Sequence, residues 1–272
     1  MTAQEKLSNR IEKNYHICVG LDTDINKIPK HLLASDDPIY EFNKGIIEAT
    51  SFQAAAYKIN LAFYESRGLE GLRSLEKTLE MIPRGILSIG DAKRGDIGNT
   101  SKMYAQSLFD HFSFDASTLH PYMGKDSLQP FLEFNEKLNF ILVLTSNPGN
   151  SDFEKLSLSN GKFLYQEVLS KVHQWNENKN CGIVFGATNI EELKSNLSHI
   201  KNLPVLLPGV GAQGGSLEDV VKAFASYGSE NYLINISRGL IYADSSENFA
   251  EVTAAKLEQL NKEIHQNKYT SD

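Results

Sequence analysis

Two carboxylates and an ammonium group lie within six residues, in the stretch Asp91-Ala92-Lys93-Arg94-Gly95-Asp96. An apolar run, Ile86 to Ile89, leads into this stretch and is typical of a buried strand. Asp91 and Lys93 are two residues apart, so their side chains are expected on the same side of the chain at the strand's end. Burying so many charged groups together costs free energy unless water or a ligand solvates them. In parallel α/β proteins, active sites lie at the ends where the strands exit the sheet. We therefore interpret the cluster as catalytic and not as a solvated turn with salt bridges.

A second lysine lies inside an apolar segment, in Ala56-Tyr57-Lys58-Ile59-Asn60. A lysine in a buried strand needs a partner, so Lys58 on its own could simply belong to a structural ion pair. With Asp91 predicted on the neighbouring strand, the order Lys58, Asp91, Lys93 becomes a row of alternating charge. That row favours a functional site. Two further strands lead into polar residues, at Leu21-Asp22 and at Thr145-Ser146-Asn147-Pro148-Gly149.

The glycine-rich segment Pro208 to Gly215 formally contains Gly-x-Gly-x-x-Gly between a strand and a helix. A dinucleotide fingerprint is one interpretation, but such a motif should open a βαβ unit and be followed by an acidic residue about 20 positions later. Glu230 is poorly placed for that role. The segment is better explained as a backbone cradle for one phosphate group, with Arg238 arriving from the next strand. A tight turn with a surface arginine remains the alternative.

The elements that must position these residues alternate between apolar runs and amphipathic stretches. About eight β-α units of this kind predict an α/β fold, a (β/α)₈ TIM barrel with additional terminal helices. The predicted strands are Ile17 to Leu21, Ala54 to Ile59, Ile86 to Ile89, Ala116 to Leu119, Phe140 to Leu144, Gly182 to Phe185, Val205 to Leu207 and Tyr232 to Ile236. The predicted helices include Tyr40 to Ala49, Leu69 to Met81, Ser101 to Phe109, Lys162 to Trp175 and Leu217 to Phe224.

No linker or change of composition divides the 272 residues, so we expect one domain over 1–272. Within it, residues 1–15 should form a helical extension with a helix over Glu5 to Lys13, and residues 266–272 a frayed tail. The net charge of −7 argues against a nucleic-acid partner. No apolar run approaches membrane-spanning length, and no leader is evident at the start. Cys18 and Cys181 are expected to be reduced core residues of a cytoplasmic protein.

The motifs resemble those of one family. Asp-x-Lys-x-x-Asp at 91–96, followed by Ile97-Gly98-x-Thr100, is similar to the signature of the orotidine 5'-phosphate decarboxylases. Arg94 and Gly95 occupy the two variable positions between Lys93 and Asp96, and this pair resembles the longer-chain branch of that family. The resemblance extends over most of the chain, through Leu21-Asp22, Tyr57-Lys58, residues 145–149, residues 208–215 and Arg238-Gly239.

The resemblance implies a homodimeric barrel that converts orotidine 5'-phosphate to uridine 5'-phosphate (UMP) and carbon dioxide without a metal or an organic cofactor. Its catalytic residues would be Lys58, Asp91, Lys93 and Asp96. It implies that Asp22 binds the ribose, Ser146 the pyrimidine, Gln213 the base and the phosphate, and Arg238 the phosphate. Asp96, Ile97 and Thr100 would enter from the partner subunit. The full substrate-binding set that the resemblance implies is Asp22, Asn60, Ile97, Thr100, Ser146, Pro208, Gln213, Gly214 and Arg238.

Three alternatives stay open at this point. A sugar-phosphate decarboxylase of the same superfamily shares Asp-x-Lys-x-x-Asp but works with magnesium. An aldolase could form a Schiff base at Lys58 or Lys93. The third is a catalytically inactive nucleotide-binding module, although a protein that only binds has no need of a row of charged lysine and aspartate side chains. We assign no chemistry to His120, and no set of residues has convincing metal-ligand spacing.

Overall fold

The computed structural model describes residues 1–200, 202–211 and 213–269. Eight parallel strands form a closed barrel in which each strand pairs with the next along the chain and the last pairs with the first. The predicted TIM barrel is therefore confirmed. The strands are β1 (Ile17–Gly20), β2 (Ala56–Asn60), β3 (Leu87–Arg94), β4 (Ala116–Leu119), β5 (Leu138–Leu144), β6 (Cys181–Phe185), β7 (Val205–Pro208) and β8 (Tyr232–Ile236).

Helices surround the barrel. The α-helices are α1 (Ala3–Ile11), α2 (Pro38–Thr50), α3 (Ala62–Glu65), α4 (Gly68–Met81), α5 (Gly98–Gln106), α6 (Lys125–Leu132), α7 (Leu164–Trp175), α8 (Ile190–Ile200), α9 (Leu217–Ser226), α10 (Arg238–Ile241) and α11 (Phe249–Tyr269). Short 3₁₀ helices lie at Lys30–Ala34, Pro121–Met123 and Pro148–Asp152, and a π-helical turn at Ser107–His111 extends α5. Of the helices described, none is long and apolar enough to cross a membrane.

The barrel strands alternate between two faces, as the two-residue period of a strand requires. On β1, Ile17 and Val19 pack outward against the helices, whereas Cys18 belongs to a separate cluster inside the barrel. Ala3 and Leu7 of α1 join the inner cluster. The N-terminal helix therefore closes the end of the barrel at which the strands begin.

The first helix begins two residues earlier than predicted, because Thr2 forms a capping box with Glu5. The Glu5 amide donates to the Thr2 hydroxyl at 3.2 Å, and Glu5 Oε2 accepts from the Thr2 amide at 2.8 Å. The last helix corrects a prediction. Residues 266–269 do not fray but continue α11 as far as Tyr269, while residues 270–272 lie outside the described residues.

The end of α11 is held by Lys268, whose side chain is almost fully buried. Its ammonium group pairs with Glu230 and contacts Nε2 of His16 at 2.9 Å. His16 is itself buried and stacks on Tyr232 at 4.2 Å between ring centroids. A charged side chain in such a pocket ties the final turn to the bottom of β1 and β8, which explains why the helix stays ordered there.

A buried amide fixes the loop that leaves β1. Asn43 of α2 accepts from the Thr23 hydroxyl at 2.6 Å and donates to the hydroxyls of Tyr64 and Thr78 at 2.9 and 3.0 Å. Tyr64 in turn donates to the carbonyl of Leu21 at 3.0 Å. Buried polar groups joined in this way hold their elements in one arrangement. The network positions the chain on both sides of Asp22.

Candidate active site

A cavity of about 390 Å³ opens at the end of the barrel where the strands finish. Its wall follows from the strand period, because the residue two positions after an inner core residue lies on the same face of the strand and reaches the cavity. Lys58 follows Ala56 in this way, and Asp91 follows Ile89. Nine of the predicted site residues line this cavity: Asp22, Lys58, Asn60, Asp91, Lys93, Ser146, Pro208, Gln213 and Arg238.

The predicted charge row is present. Lys58 Nζ lies 2.9 Å from one oxygen of Asp91, and Lys93 Nζ lies 2.6 Å from the other. Lys58 Nζ also lies 3.4 Å from Asp22 Oδ1. These contacts arise because β2 and β3 are neighbours in register, with Asn60 opposite Asp91. One carboxylate therefore bridges two ammonium groups from adjacent strands.

Burial makes this row electrostatically strong. The side chain of Lys58 is 5% exposed and that of Asp91 is 10% exposed. Burial alone would raise the pKa of Asp91, but the ammonium groups of Lys58 and Lys93 outweigh it and hold the pKa far below its ordinary value. Burial would likewise lower the pKa of Lys58, and Asp22 and Asp91 more than reverse this. Both groups are therefore ionised at neutral pH.

Cys18 lies inside the barrel close enough to this row to feel its charges. Its thiol is fully buried, and burial raises its pKa to about 12. A neutral buried thiol is a poor nucleophile, so Cys18 has a packing role.

Lys93 departs from the prediction in its backbone. The third strand was expected to end at Ile89, but β3 continues to Arg94. Its pairing with β4 shifts register between Gly90 and Arg94, and Lys93 has a positive φ of 47°. A non-glycine residue in this left-handed region is uncommon and is often found at functional sites. The irregularity places the ammonium group of Lys93 beside Asp91 while its side chain stays 49% exposed to the cavity.

The opposite part of the cavity is formed by the loops after β5 and β7. The Ser146 hydroxyl donates to Gln213 Oε1 at 2.6 Å. Gly209 has a φ of 100°, and a Cβ there would lie 3.0 Å from Ser146 Cβ. Only glycine combines that backbone with so close an approach. The glycines of this segment thus let two loops meet around the cavity.

Arg238 lies two residues after the end of β8 at the same rim, next to Ser237. Within the described ranges its guanidinium group has neither an ion-pair nor a hydrogen-bond partner, and the residue is exposed. An unpaired guanidinium beside glycine-rich backbone can accept a phosphate group.

Four predicted site residues do not line the cavity of their own chain: Asp96, Ile97, Thr100 and Gly214. Asp96 Oδ1 accepts from the Ile97 amide at 2.8 Å, and the Ile97 side chain is 59% exposed. Thr100 is exposed on α5, and the Gly214 amide closes a turn with the carbonyl of Gly211 at 2.9 Å.

Two polar cavity residues within strands were not predicted from the sequence, Thr118 on β4 and Asn235 on β8. Both lie inside strands, whereas the sequence motifs pointed mainly to residues at the ends of strands. The strand period could have found them, since Thr118 follows the inner residue Ala116 and Asn235 follows Leu233 by two positions. His120 is different: it lies outside the cavity lining, and its ring accepts from the Tyr122 amide at 3.2 Å.

The acidic and imidazole side chains form no metal centre in the part of the chain that the structure describes. Its His, Cys, Asp and Glu residues include no group of three or more that could hold a metal ion.

Comparison with known proteins places this site in a family context. The model of the orotidine 5'-phosphate decarboxylase / HUMPS family matches residues 15–252. An orotidine 5'-phosphate decarboxylase from Christiangramia forsetii is 46% identical over 267 residues, which are 97% of this chain and 97% of that protein. The structure of an OMP decarboxylase from Leishmania donovani is similar with a TM-score of 0.86 and 36% identity, covering 99% of this chain and 100% of that one. A UMP synthase from the same organism matches with a TM-score of 0.88 and 38% identity, but this chain spans only 57% of it.

The charge row predicts how stability depends on pH. The pKa of Asp91 is lower in the folded protein than in the unfolded chain, so its contribution is present above about pH 4 and is lost as the pH falls towards the folded value. We expect Asp91→Asn to lower the free energy of unfolding at pH 7 by about 3 kcal/mol, since Lys58 loses a buried partner. In urea unfolding between pH 7 and pH 3, the free energy of unfolding should fall less steeply with decreasing pH in the variant than in the wild type.

The matched control is Asp110→Asn, which removes an exposed carboxylate from the π-helical turn. It should change the free energy of unfolding at pH 7 by less than about 0.5 kcal/mol. The free energy of unfolding should also decrease with falling pH as steeply as in the wild type. Equal acid slopes in wild type and Asp91→Asn would show that Asp91 is not the linked group.

Proposed function

The chain belongs to the orotidine 5'-phosphate decarboxylase / HUMPS family, and on that premise we propose how it converts orotidine 5'-phosphate to UMP and carbon dioxide. The observation that carries the proposal is the preformed row of Lys58, Asp91 and Lys93 at the mouth of the barrel. The reaction breaks the bond between C6 of the pyrimidine and its carboxylate. It leaves the electron pair on C6 and releases carbon dioxide.

The electron pair on C6 lies in the plane of the ring, so it cannot delocalise into the ring carbonyls. The carbanion therefore needs a fixed positive charge beside it and then a proton. Lys93 supplies both in this proposal, as an electrostatic stabiliser and as the general acid. Its ammonium group is half exposed to the cavity and is anchored by Asp91, which supports the assignment.

Asp91 and Lys58 act through this same row. Asp91 holds and aims the ammonium group of Lys93, because opposite charges attract strongly at the 2.6 Å that separates them. Lys58 offsets the charge of Asp91 and, with Asp22, faces the sugar. The raised pKa of Lys58 argues against a Schiff base at Lys58, since a buried, charged ammonium group is not a nucleophile.

The remaining predicted residues bind the parts of the substrate that do not react. We propose that Asp22 and Asn60 bind the ribose, Ser146 and Pro208 the pyrimidine, Gln213 the base and the phosphate, and Gly214 and Arg238 the phosphate. The contact between Ser146 and Gln213 supports a shared subsite, because it joins the two loops that would close on the nucleotide. Contacts to a remote phosphate can provide binding energy that orients the reacting end.

We further propose a homodimer in which Asp96, Ile97 and Thr100 complete the site of the partner. All three lie next to the charge row in sequence yet line no part of their own cavity. Large apolar side chains are exposed in the same region, on α5 and in the loops after β3, β4 and β5. They are Ile97, Met103, Tyr104, Tyr122, Met123 and Phe153. Exposed apolar surface of this extent is typical of a protein interface.

Two broader proposals accompany the mechanism. Residues 1–272 form one domain, which α1 supports by packing into the inner cluster of the barrel. The enzyme works in the cytoplasm, which the two buried free cysteines support.

The mechanism predicts that purified protein in EDTA decreases the ultraviolet absorbance of orotidine 5'-phosphate as UMP forms. Lys93→Ala should lower kcat by at least about 10³-fold, because it removes both the fixed charge and the proton donor. It should still bind UMP in calorimetry, since the remote contacts remain. Lys171→Ala, which removes an exposed lysine on α7, serves as the control and should keep wild-type turnover.

Activity that disappears in EDTA and returns with magnesium would favour the metal-dependent sugar-phosphate alternative. Retention of kcat within about tenfold by Lys93→Ala would contradict the role of Lys93.

The shared site predicts complementation between two inactive variants. Lys93→Ala and Asp96→Ala proteins are each expected to be nearly inactive, because every site carries one lesion. In a mixed dimer one site carries both lesions and the other carries neither. Random exchange makes half of the dimers mixed, so about a quarter of all sites should be wild type, and activity should rise towards that fraction.

Subunit exchange is verified by native mass spectrometry with one tagged variant. Absence of recovery after verified exchange would place Asp96 in the site of its own subunit.

A further inference from the structure

Thr118 of β4 connects the two charged residues of β3 that the mechanism uses. Its hydroxyl donates to Asp91 Oδ1 at 2.9 Å and accepts from the backbone amide of Lys93 at 3.0 Å. The donor must be the hydroxyl in the first contact, because an ionised carboxylate only accepts. Thr118 is 2% exposed, although it lies in the lining of the cavity.

The contact with Lys93 falls where the backbone is irregular. Lys93 has its φ of 47° within the register shift between β3 and β4. Regular pairing with β4 ends at Gly90 opposite Ser117 and resumes at Arg94 opposite Leu119. Thr118 lies between those two partners on β4, so its hydroxyl offers the Lys93 amide an acceptor at the point where the register changes.

We propose that Thr118 is a positioning residue, whose hydroxyl fixes the Lys93 backbone and the Asp91 carboxylate relative to each other. The inference rests on the proposed role of Lys93. One hydroxyl uses its proton on Asp91 and a lone pair on Lys93, so both contacts must be satisfied by a single geometry. That geometry stabilises the left-handed backbone of Lys93. It thereby fixes the direction in which the Lys93 side chain points from β3.

The proposal separates chemistry from substrate binding. The side chains proposed for the base and the phosphate include those of Ser146, Gln213 and Arg238, and none of these three has a hydrogen bond to Thr118. Loss of the hydroxyl should therefore leave ground-state binding intact and misplace the ammonium group of Lys93. Misplacement of a catalytic group affects the transition state selectively, so kcat should fall while KM changes little.

The test compares Thr118→Val, which keeps the shape and removes the hydroxyl, with Thr118→Ser, which keeps the hydroxyl. We expect Thr118→Val to lower kcat by roughly 10- to 100-fold with less than about a threefold change in KM and in the dissociation constant of UMP. Thr118→Ser should retain kcat within about threefold of wild type. If Thr118→Val does not fold, Thr118→Cys replaces it, because a thiol is only a weak donor and should also lose most of kcat.

Ser117→Ala is the matched control. Ser117 is the preceding residue of β4, and its buried hydroxyl donates to Asn139 Oδ1 at 3.0 Å on the other face of the strand. Its removal should leave kcat within about threefold of wild type, although it deletes a hydrogen bond of similar length. A comparable loss in Ser117→Ala would mean that β4 is merely sensitive to any buried deletion, and would overturn the proposal.

Two further results would overturn it: wild-type kcat in Thr118→Val, or an equal loss in Thr118→Ser. A wild-type protein that does not decarboxylate orotidine 5'-phosphate would instead refute the proposed mechanism. The two failures are thus distinguished by measuring the wild-type protein first.

Discussion

The site depends on keeping one buried carboxylate ionised between two ammonium groups. Removing Asp91 from water carries a desolvation cost that its neighbours must offset, and the lowered pKa of Asp91 indicates that Lys58 and Lys93 do so. The arrangement requires β2 and β3 to be adjacent and in register, with Asn60 opposite Asp91. A closed parallel barrel provides that register and gathers the ends of all eight strands around one cavity.

In the proposed mechanism, the row also explains how this site stabilises a carbanion. Charges that are already fixed before the reaction need no reorganisation as negative charge develops on C6. In the proposed mechanism Lys93 has the freedom to reach C6 because it is half exposed, while its backbone is held by β4. Lys58 is almost completely buried and holds the carboxylate instead. The burial of each lysine therefore matches its proposed role: the exposed Lys93 contacts the substrate, and the buried Lys58 supports Asp91.

Much of this arrangement could be predicted from the sequence. The strands follow from short apolar runs, and the contacts of Asp91 with Lys58 and Lys93 follow from charges at the exits of neighbouring strands. The left-handed backbone of Lys93 could not be predicted, because it depends on how Arg94 pairs with Leu119 of another strand. The strand period places Thr118 on the cavity face, but nothing local distinguishes a threonine that faces the barrel interior for support from one that faces it for a ligand.

The two ends of the chain differ in how far the sequence could predict them. The capping box of Thr2 and Glu5 is a local signal that fixes the start of α1 and could have been used. The order of α11 up to Tyr269 depends on Lys268 meeting Glu230, a contact between residues 38 positions apart. The proposed contribution of Asp96, Ile97 and Thr100 to a partner subunit follows from the family resemblance and not from a local pattern in the chain.

The central claim is that Lys93 stabilises and protonates a carbanion at C6, and hydrogen exchange in the product tests it most directly. By microscopic reversibility, the same lysine as a neutral amine removes the C6 proton of bound UMP, and in D₂O that proton is replaced by deuterium. Proton NMR of UMP with wild-type protein should show progressive loss of the C6 signal, and Lys93→Ala should show none at a concentration that saturates its site. Exchange at the wild-type rate in Lys93→Ala, or its absence in an active wild-type enzyme, would contradict the account.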